Sequence, residues 1–326
     1  MSEAITPIFL FSMPRSGSTL TQRILGADPT IATASEPHLL LPYVYAMRDR
    51  GIYAEYEQHQ VKGAIEDFCA LLPRKQEDYL FELGNFVSRL YALASPPGKR
   101  YFLDKTPRYH LIADEIFRMF ETGKFIFLWR NPLAIVASLM EMQAGKWTLY
   151  RSKIDLFDGL QNLIAVYQAR GAQACAIRYE DLIAQPEASC RKIYDYLGLP
   201  FNANALSEFA KVALKGRYGD TAVAGKKYEF ISSEPLEKWK ATLAGPLRIT
   251  WCRRYLNWIG RERLAVMGYD LDQLMEELNS ISSKYDRVAS DAVRVAMGVV
   301  YCVFEPRIAS QKAKLLTSWH RVHAHL

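Results

Sequence analysis

Residues 12–19 read Ser-Met-Pro-Arg-Ser-Gly-Ser-Thr, between an apolar run, Ile8–Phe11, and a helical pattern that starts at Leu20. Backbone N–H groups at a helix N-terminus lack intrahelical partners, and the helix dipole favours negative charge there. Gly17 lets the backbone approach an oxygen closely. Arg15 offers a guanidinium fork, and Ser16, Ser18 and Thr19 offer hydroxyl donors. The chemistry of this stretch is anion binding. A plain strand–turn–helix junction would need only a cap such as Ser18, and an Arg inside the loop serves no capping purpose. The GxxxxGK[ST] phosphate loop is absent, because Gly17 is not followed by Lys.

A second such arrangement follows the run Lys124–Trp129, which ends in Arg130-Asn131-Pro132. Pro132 suits the first position of a helix. Ser138 then lies about two turns into that helix, so Arg130 and Ser138 can grip a second phosphate from two elements. The bland alternative is a surface Arg and an unrelated helix Ser.

The elements that must position these residues follow from periodicity. Apolar runs of strand length recur at 8–11, 100–103, 124–129 and 174–179. Helical periodicity fills 64–72, 79–94, 109–120, 156–170 and 187–197. Continuous apolar strands alternating with amphipathic helices predict an α/β fold: a three-layer parallel sheet with helices on both faces. Ligands of such folds sit at the carboxyl ends of the strands. The segment 211–234 reads as a long loop, and loops of that length are usually functional.

The totals set bounds. The chain has 326 residues, 50% of them hydrophobic and 23% charged, so it can bury a large core. A net charge of +6 suits an anionic ligand or a membrane surface, and no basic stripe with interleaved aromatics points to nucleic acid. The five cysteines form no CxxC pair and no cluster with zinc spacing, and they read as reduced thiols. The N-terminal run lacks a basic n-region, and no stretch is long and apolar enough to span a bilayer, so a cytoplasmic location is expected.

Three motifs together carry a resemblance: PRSGST after the first strand, RNPxxxxxS after a later one and IRYEDL after the next. They resemble the sulfotransferase family that uses 3′-phosphoadenosine 5′-phosphosulfate (PAPS), over residues 6–245 approximately. The resemblance implies a nucleotide-kinase-like P-loop fold, PAPS as cosubstrate and 3′-phosphoadenosine 5′-phosphate (PAP) as product. It implies that Arg15, Ser16, Gly17, Ser18 and Thr19 hold the 5′-phosphosulfate, and that Arg130 and Ser138 hold the 3′-phosphate. Lys226 and Lys227 resemble the late loop that closes over the nucleotide. Arg15 and Leu20 stand where cytosolic aryl sulfotransferases carry Lys and Trp. The chain is thus more similar to the tyrosylprotein, carbohydrate and bacterial branches.

Sulfuryl transfer to a hydroxyl needs a base for the acceptor proton, a cation for the leaving oxygen and in-line placement. By resemblance, Lys105 in LDKTP is the leaving-group cation and Arg15 assists it. Two residues are candidates for the base. Glu36 in SEPHLL falls where the catalytic glutamate of tyrosylprotein sulfotransferases falls. His110 stands three residues after the position, here Pro107, that a catalytic His holds in the cytosolic branch. Asp104 reads as an orienting partner, and Arg108 and His38 as residues on the acceptor side. Trp239 reads equally as packing or adenine contact, and Tyr179, Glu180 and Asp181 read as structural. No metal is expected.

The expected domains are a sulfotransferase domain at 1–280 and a C-terminal helical extension at 281–326. The extension is apolar over 292–304 and carries no acidic residue from Arg307 onward. It is read as docking on the body, on a second copy by self-association, or on a membrane surface peripherally. The acceptor is a hydroxyl on a small molecule, a sugar, a lipid or a peptide. A nucleotide kinase and a non-catalytic nucleotide-binding module are the alternatives. The missing GK[ST] and the lack of an evident magnesium carboxylate count against the first.

Overall fold

Five parallel strands carry the chain's anion-binding motifs: β1 (Thr6–Ser12), β2 (Ile31–Thr33), β3 (Tyr101–Asp104), β4 (Lys124–Trp129) and β5 (Ala174–Arg178). Their order in the sheet is β2-β3-β1-β4-β5. The computed structural model describes residues 5–49, 51–52, 54, 56–216, 230–305 and 308–310.

β1 lies at the centre, which explains its unbroken apolar run. A strand with parallel neighbours on both sides and helices on both faces has no wet side. Its side chains alternate between two cores. Phe9 and Phe11 join Phe125 and Phe127 on one face, and Ile8 and Leu10 join Ile126 and Leu128 on the other. On the first face Phe117 stacks on Phe125 with ring centroids 3.7 Å apart. On the second, the helix Ser18–Gly26 buries Leu20, Ile24 and Leu25, and the helix Pro186–Leu197 buries Ile193, Tyr194 and Leu197. The three-layer α/β architecture expected from the pattern is the one observed.

Register sets where each strand stops. Phe9 pairs with Asp104 on β3 and with Phe125 on β4, and Ser12 pairs with Leu128. A slip of one residue would turn every side chain of a strand to the wrong face. The two cores therefore fix the strand ends, and with them the residues that follow.

Some elements differ from their sequence pattern. β2 is three residues long, too short to signal itself by alternation. The helical pattern over 109–120 splits into a 3₁₀ turn, Pro107–Leu111, and a helix, Ala113–Met119. Tyr109 in that turn is held 3.0 Å from the buried Asp104 carboxylate, which ties the turn to β3 rather than to the helix. Among the described residues no helix is long and apolar enough to cross a membrane.

Phe127 is fully buried and packs on Phe11, Phe117, Trp129 and Tyr167. Its replacement by Ala is expected to cost about 3–5 kcal/mol of stability, read from urea unfolding. A cost near zero would mean that the sheet does not depend on this aromatic layer.

Candidate active site

The loop after β1 bends through two left-handed residues, Arg15 (φ 70) and Gly17 (φ 86). Gly17 rather than Ser18 is the N-cap of the helix Ser18–Gly26, and no side chain among the described residues caps it. A Cβ on Gly17 would lie 2.2 Å from a ring carbon of Tyr179, so only glycine fits between the loop and that ring. Ser16 is fully buried, and its hydroxyl has no hydrogen-bond partner among the described residues. An uncapped helix start beside an unsatisfied buried hydroxyl is a site built for an anion.

The second anion motif meets the first. Arg15 Nε donates to Ser138 Oγ at 3.2 Å, and Arg130 Nη1 donates to the Arg15 carbonyl at 2.6 Å. The Arg130 guanidinium lies 4.4 Å from the Tyr179 ring centroid, so that ring supports both the glycine turn and the cation. Asn131 caps the helix Pro132–Glu141 through its Oδ1, 2.8 Å from the Leu133 N–H. Glu180 accepts the Asn131 N–H at 3.0 Å and the Tyr269 hydroxyl at 2.6 Å. Burial pulls the Arg130 pKa down, against the opposing pull of Tyr179 and Glu180.

A third cluster forms where β2 and β3 end. Lys105 is 2% exposed, and its Nζ lies 2.7 Å from Glu36 Oε1 and 3.4 Å from Thr19 Oγ1. His38 Nε2 stands 3.5 Å from the other Glu36 oxygen. Burial raises the Glu36 pKa, but His38 and Lys105 together outweigh it, and the net shift is downward. The carboxyl is therefore ionised below the usual carboxylate range. Beneath it Asp104 accepts hydrogen bonds from Tyr91 (2.6 Å), Thr106 (2.9 Å) and Tyr109 (3.0 Å). Thr106 Oγ1 and Tyr109 Oη in turn accept the N–H groups of His38 and Leu40. Asp104 thus anchors the segment that presents Glu36.

The family model described as the sulfotransferase family matches residues 7–203. The chain belongs to the sulfotransferase family. Nodulation protein NoeE of Sinorhizobium fredii is 26% identical over 302 residues, which cover 83% of this chain and 68% of that protein. The protein-tyrosine sulfotransferase of Drosophila melanogaster is 23% identical over 201 residues, 60% of this chain and 38% of that one. Against the solved sulfotransferase domain from the curacin biosynthetic pathway the TM-score is 0.49 at 22% identity, over 73% of this chain and 91% of that chain. The family's chemistry is sulfuryl transfer, and a nucleotide kinase is not favoured.

Within this sulfotransferase the second candidate base is remote from the Glu36 cluster in its bonding. His110 is fully buried, and its Nε2 lies 2.8 Å from Asp155 Oδ1. A Cβ on Gly159 would come within 2.5 Å of its Nδ1, so the ring is closely packed on that side. Arg108 also turns to Asp155, at 3.3 Å. Trp239 is buried in the core. Lys226 and Lys227 lie outside the described residues, but the chain leading to them touches the site. The Lys215 carbonyl accepts the Ser35 N–H at 3.0 Å, one residue before Glu36. Sequence reading left Tyr179 and Glu180 as structural. Their position just after a parallel strand was the available signal for a role at the anion site.

Gly17→Ala would force a side chain into the Tyr179 ring at a left-handed φ. It is expected to weaken PAP binding at least about tenfold in calorimetric titration, of the order of the ~1–3 kcal/mol that overpacking costs. Unchanged affinity would show that the loop does not touch the nucleotide.

Proposed function

We propose that this sulfotransferase moves the sulfuryl group of PAPS to a hydroxyl acceptor, with Glu36 as the base and Lys105 as the cation on the leaving oxygen. The observation that carries this reading is the Glu36–Lys105 pair at 2.7 Å, in contact with Thr19 of the anion loop. The residues present fit the nucleotide. The Ser16–Thr19 turn offers backbone N–H groups and hydroxyls to the 5′ side, and Arg130 with Ser138 offers a cation and a hydroxyl to the 3′-phosphate. Negative charge there would offset the burial cost that Arg130 carries. Arg15, tied to Ser138 at 3.2 Å, links the two phosphate sites.

Bound PAPS supplies the sulfuryl group and leaves as PAP. Glu36 takes the acceptor proton as the acceptor oxygen bonds to sulfur. Lys105 donates to the bridging oxygen as its bond to sulfur breaks, so the proton and the leaving charge each have a partner. Lys105, Arg15 and Arg130 supply the positive charge in this reading, and the rate is expected to be unchanged by EDTA. His110 belongs to packing, because its ring is buried and committed to Asp155. The protein tyrosine named in the Drosophila relative's description supports a hydroxyl acceptor of some class. The five unbridged cysteines support a reducing, cytoplasmic setting. Residues 281–326 are proposed as an extension of the catalytic domain, supported by the buried Arg248–Asp291 pair that holds the helix Val288–Phe304.

Glu36→Gln keeps the shape and an acceptor for Lys105 but cannot take a proton. It is expected to lower kcat about 10²–10⁴-fold with PAP affinity retained. A kcat within a few-fold of the parent enzyme would remove Glu36 from the role of base. The pH profile offers an independent check. A carboxylate with a lowered pKa stays ionised as pH falls, so the acid limb of kcat/KM is expected below the usual carboxylate range. A limb near neutrality is the signature of an imidazole and would return the role to a histidine.

A further inference from the structure

The helix Val288–Phe304 is fixed to the protein by one face. Asp291 is 2% exposed and forms a two-pronged ion pair with Arg248, at 2.7 and 2.9 Å. Arg248 also donates to the carbonyls of Thr242 and Gly145. Gly298 sits so close to Tyr150 that a Cβ would lie 2.8 Å from its ring, and Tyr301 packs on the same ring at 4.9 Å. The attachment is specific, and it settles which face points away.

The outward face is apolar. Val293, Val299 and Val300 are exposed along it, and Val303 and Phe304 are each 72% exposed. At 100° per residue these positions span a broad arc opposite Asp291 and Gly298, and the other helix positions within it are alanines. Contiguous apolar patches larger than a few hundred Å² are rare on monomeric proteins and mark an interaction surface. The helix has 17 residues, about 25 Å at 1.5 Å per residue, short of the ~30 Å of a bilayer core. Fixed along one side, it suits lying on a surface rather than spanning one.

Charge identifies that surface. From Lys284 to the C-terminus the sequence carries seven Lys or Arg and three acidic residues, and one of the three is the buried Asp291. Beyond Glu305 there is no acidic residue at all. Arg151 and Lys153 are exposed at the turn against which the helix packs. Two copies meeting through this helix would bring their basic flanks together, whereas an anionic surface complements them. We propose that the helix Val288–Phe304 docks this enzyme on an anionic lipid surface. Its apolar face enters the boundary between headgroups and acyl chains, and the basic residues that flank it in the sequence, with Arg151 and Lys153, meet the headgroups.

The test is flotation of the full chain with vesicles of phosphatidylcholine alone and of phosphatidylcholine with phosphatidylglycerol. Binding is expected to be at least about tenfold stronger to the anionic vesicles and to weaken as salt is raised. Val300→Glu with Val303→Glu is expected to release the protein while PAP affinity stays unchanged, which shows the fold intact. Lys312→Glu with Lys314→Glu, which leaves the helix untouched, is expected to weaken binding at least about fivefold. Failure to float, equal binding to neutral vesicles, or floating that survives the double valine change would overturn the proposal. So would a concentration-dependent dimer, abolished by the same valine change and seen without vesicle binding, which would give the face to a second copy.

Discussion

The site is organised around a buried charge. Lys105 is almost wholly buried at the end of β3, and a buried ammonium is costly unless an anion stands beside it. Glu36 is that anion, at 2.7 Å. The pairing is reciprocal, since Lys105 and His38 keep Glu36 ionised in spite of its burial. In the proposed reaction the pair loosens without stranding either partner. Glu36 becomes neutral as it takes a proton, and Lys105 gains the oxygen that leaves.

The sheet makes this pairing possible at short range. β2, β3, β1, β4 and β5 all run in one direction, so their carboxyl ends open on a common edge. Glu36 follows β2, Lys105 follows β3, the Arg15–Thr19 loop follows β1, Arg130 follows β4 and Tyr179 follows β5. Each strand therefore gives the site a different group. The hydroxyl bonds to Asp104 and the Tyr179 ring beneath Gly17 hold these groups in a fixed relation, which is how residues scattered over the chain act together.

Much of this was legible in the sequence because it is local. The apolar run of β1, the glycine turn after it and the Arg-Asn-Pro start of the next helix each carry their signal within a few residues. The parallel sheet followed from continuous apolar strands. What escaped was tertiary. β2 has three residues and no pattern of its own. Tyr179 reads as a strand-end tyrosine until the fold sets it under Gly17, and Glu180 gains meaning through Asn131 and Tyr269. His110 had the chemistry of a base and stood near Lys105 in sequence, but a 3₁₀ turn carries its ring into the core against Gly159. The tail was visible as apolar and basic, while the direction of its apolar face depends on the Arg248–Asp291 ion pair and on the packing of Gly298 and Tyr301 against Tyr150.

In the proposed function the two arginine sites hold a nucleotide with phosphates at both the 3′ and 5′ positions. Calorimetric titration with PAP beside ADP and ATP–Mg²⁺ tests it most directly, because PAP differs from ADP chiefly in where its second phosphate sits. Tight binding of PAP, weak binding of ADP and loss of PAP affinity in Arg130→Ala are expected. Preference for ATP–Mg²⁺, or PAP affinity that is indifferent to Arg130, would contradict the assignment of this site.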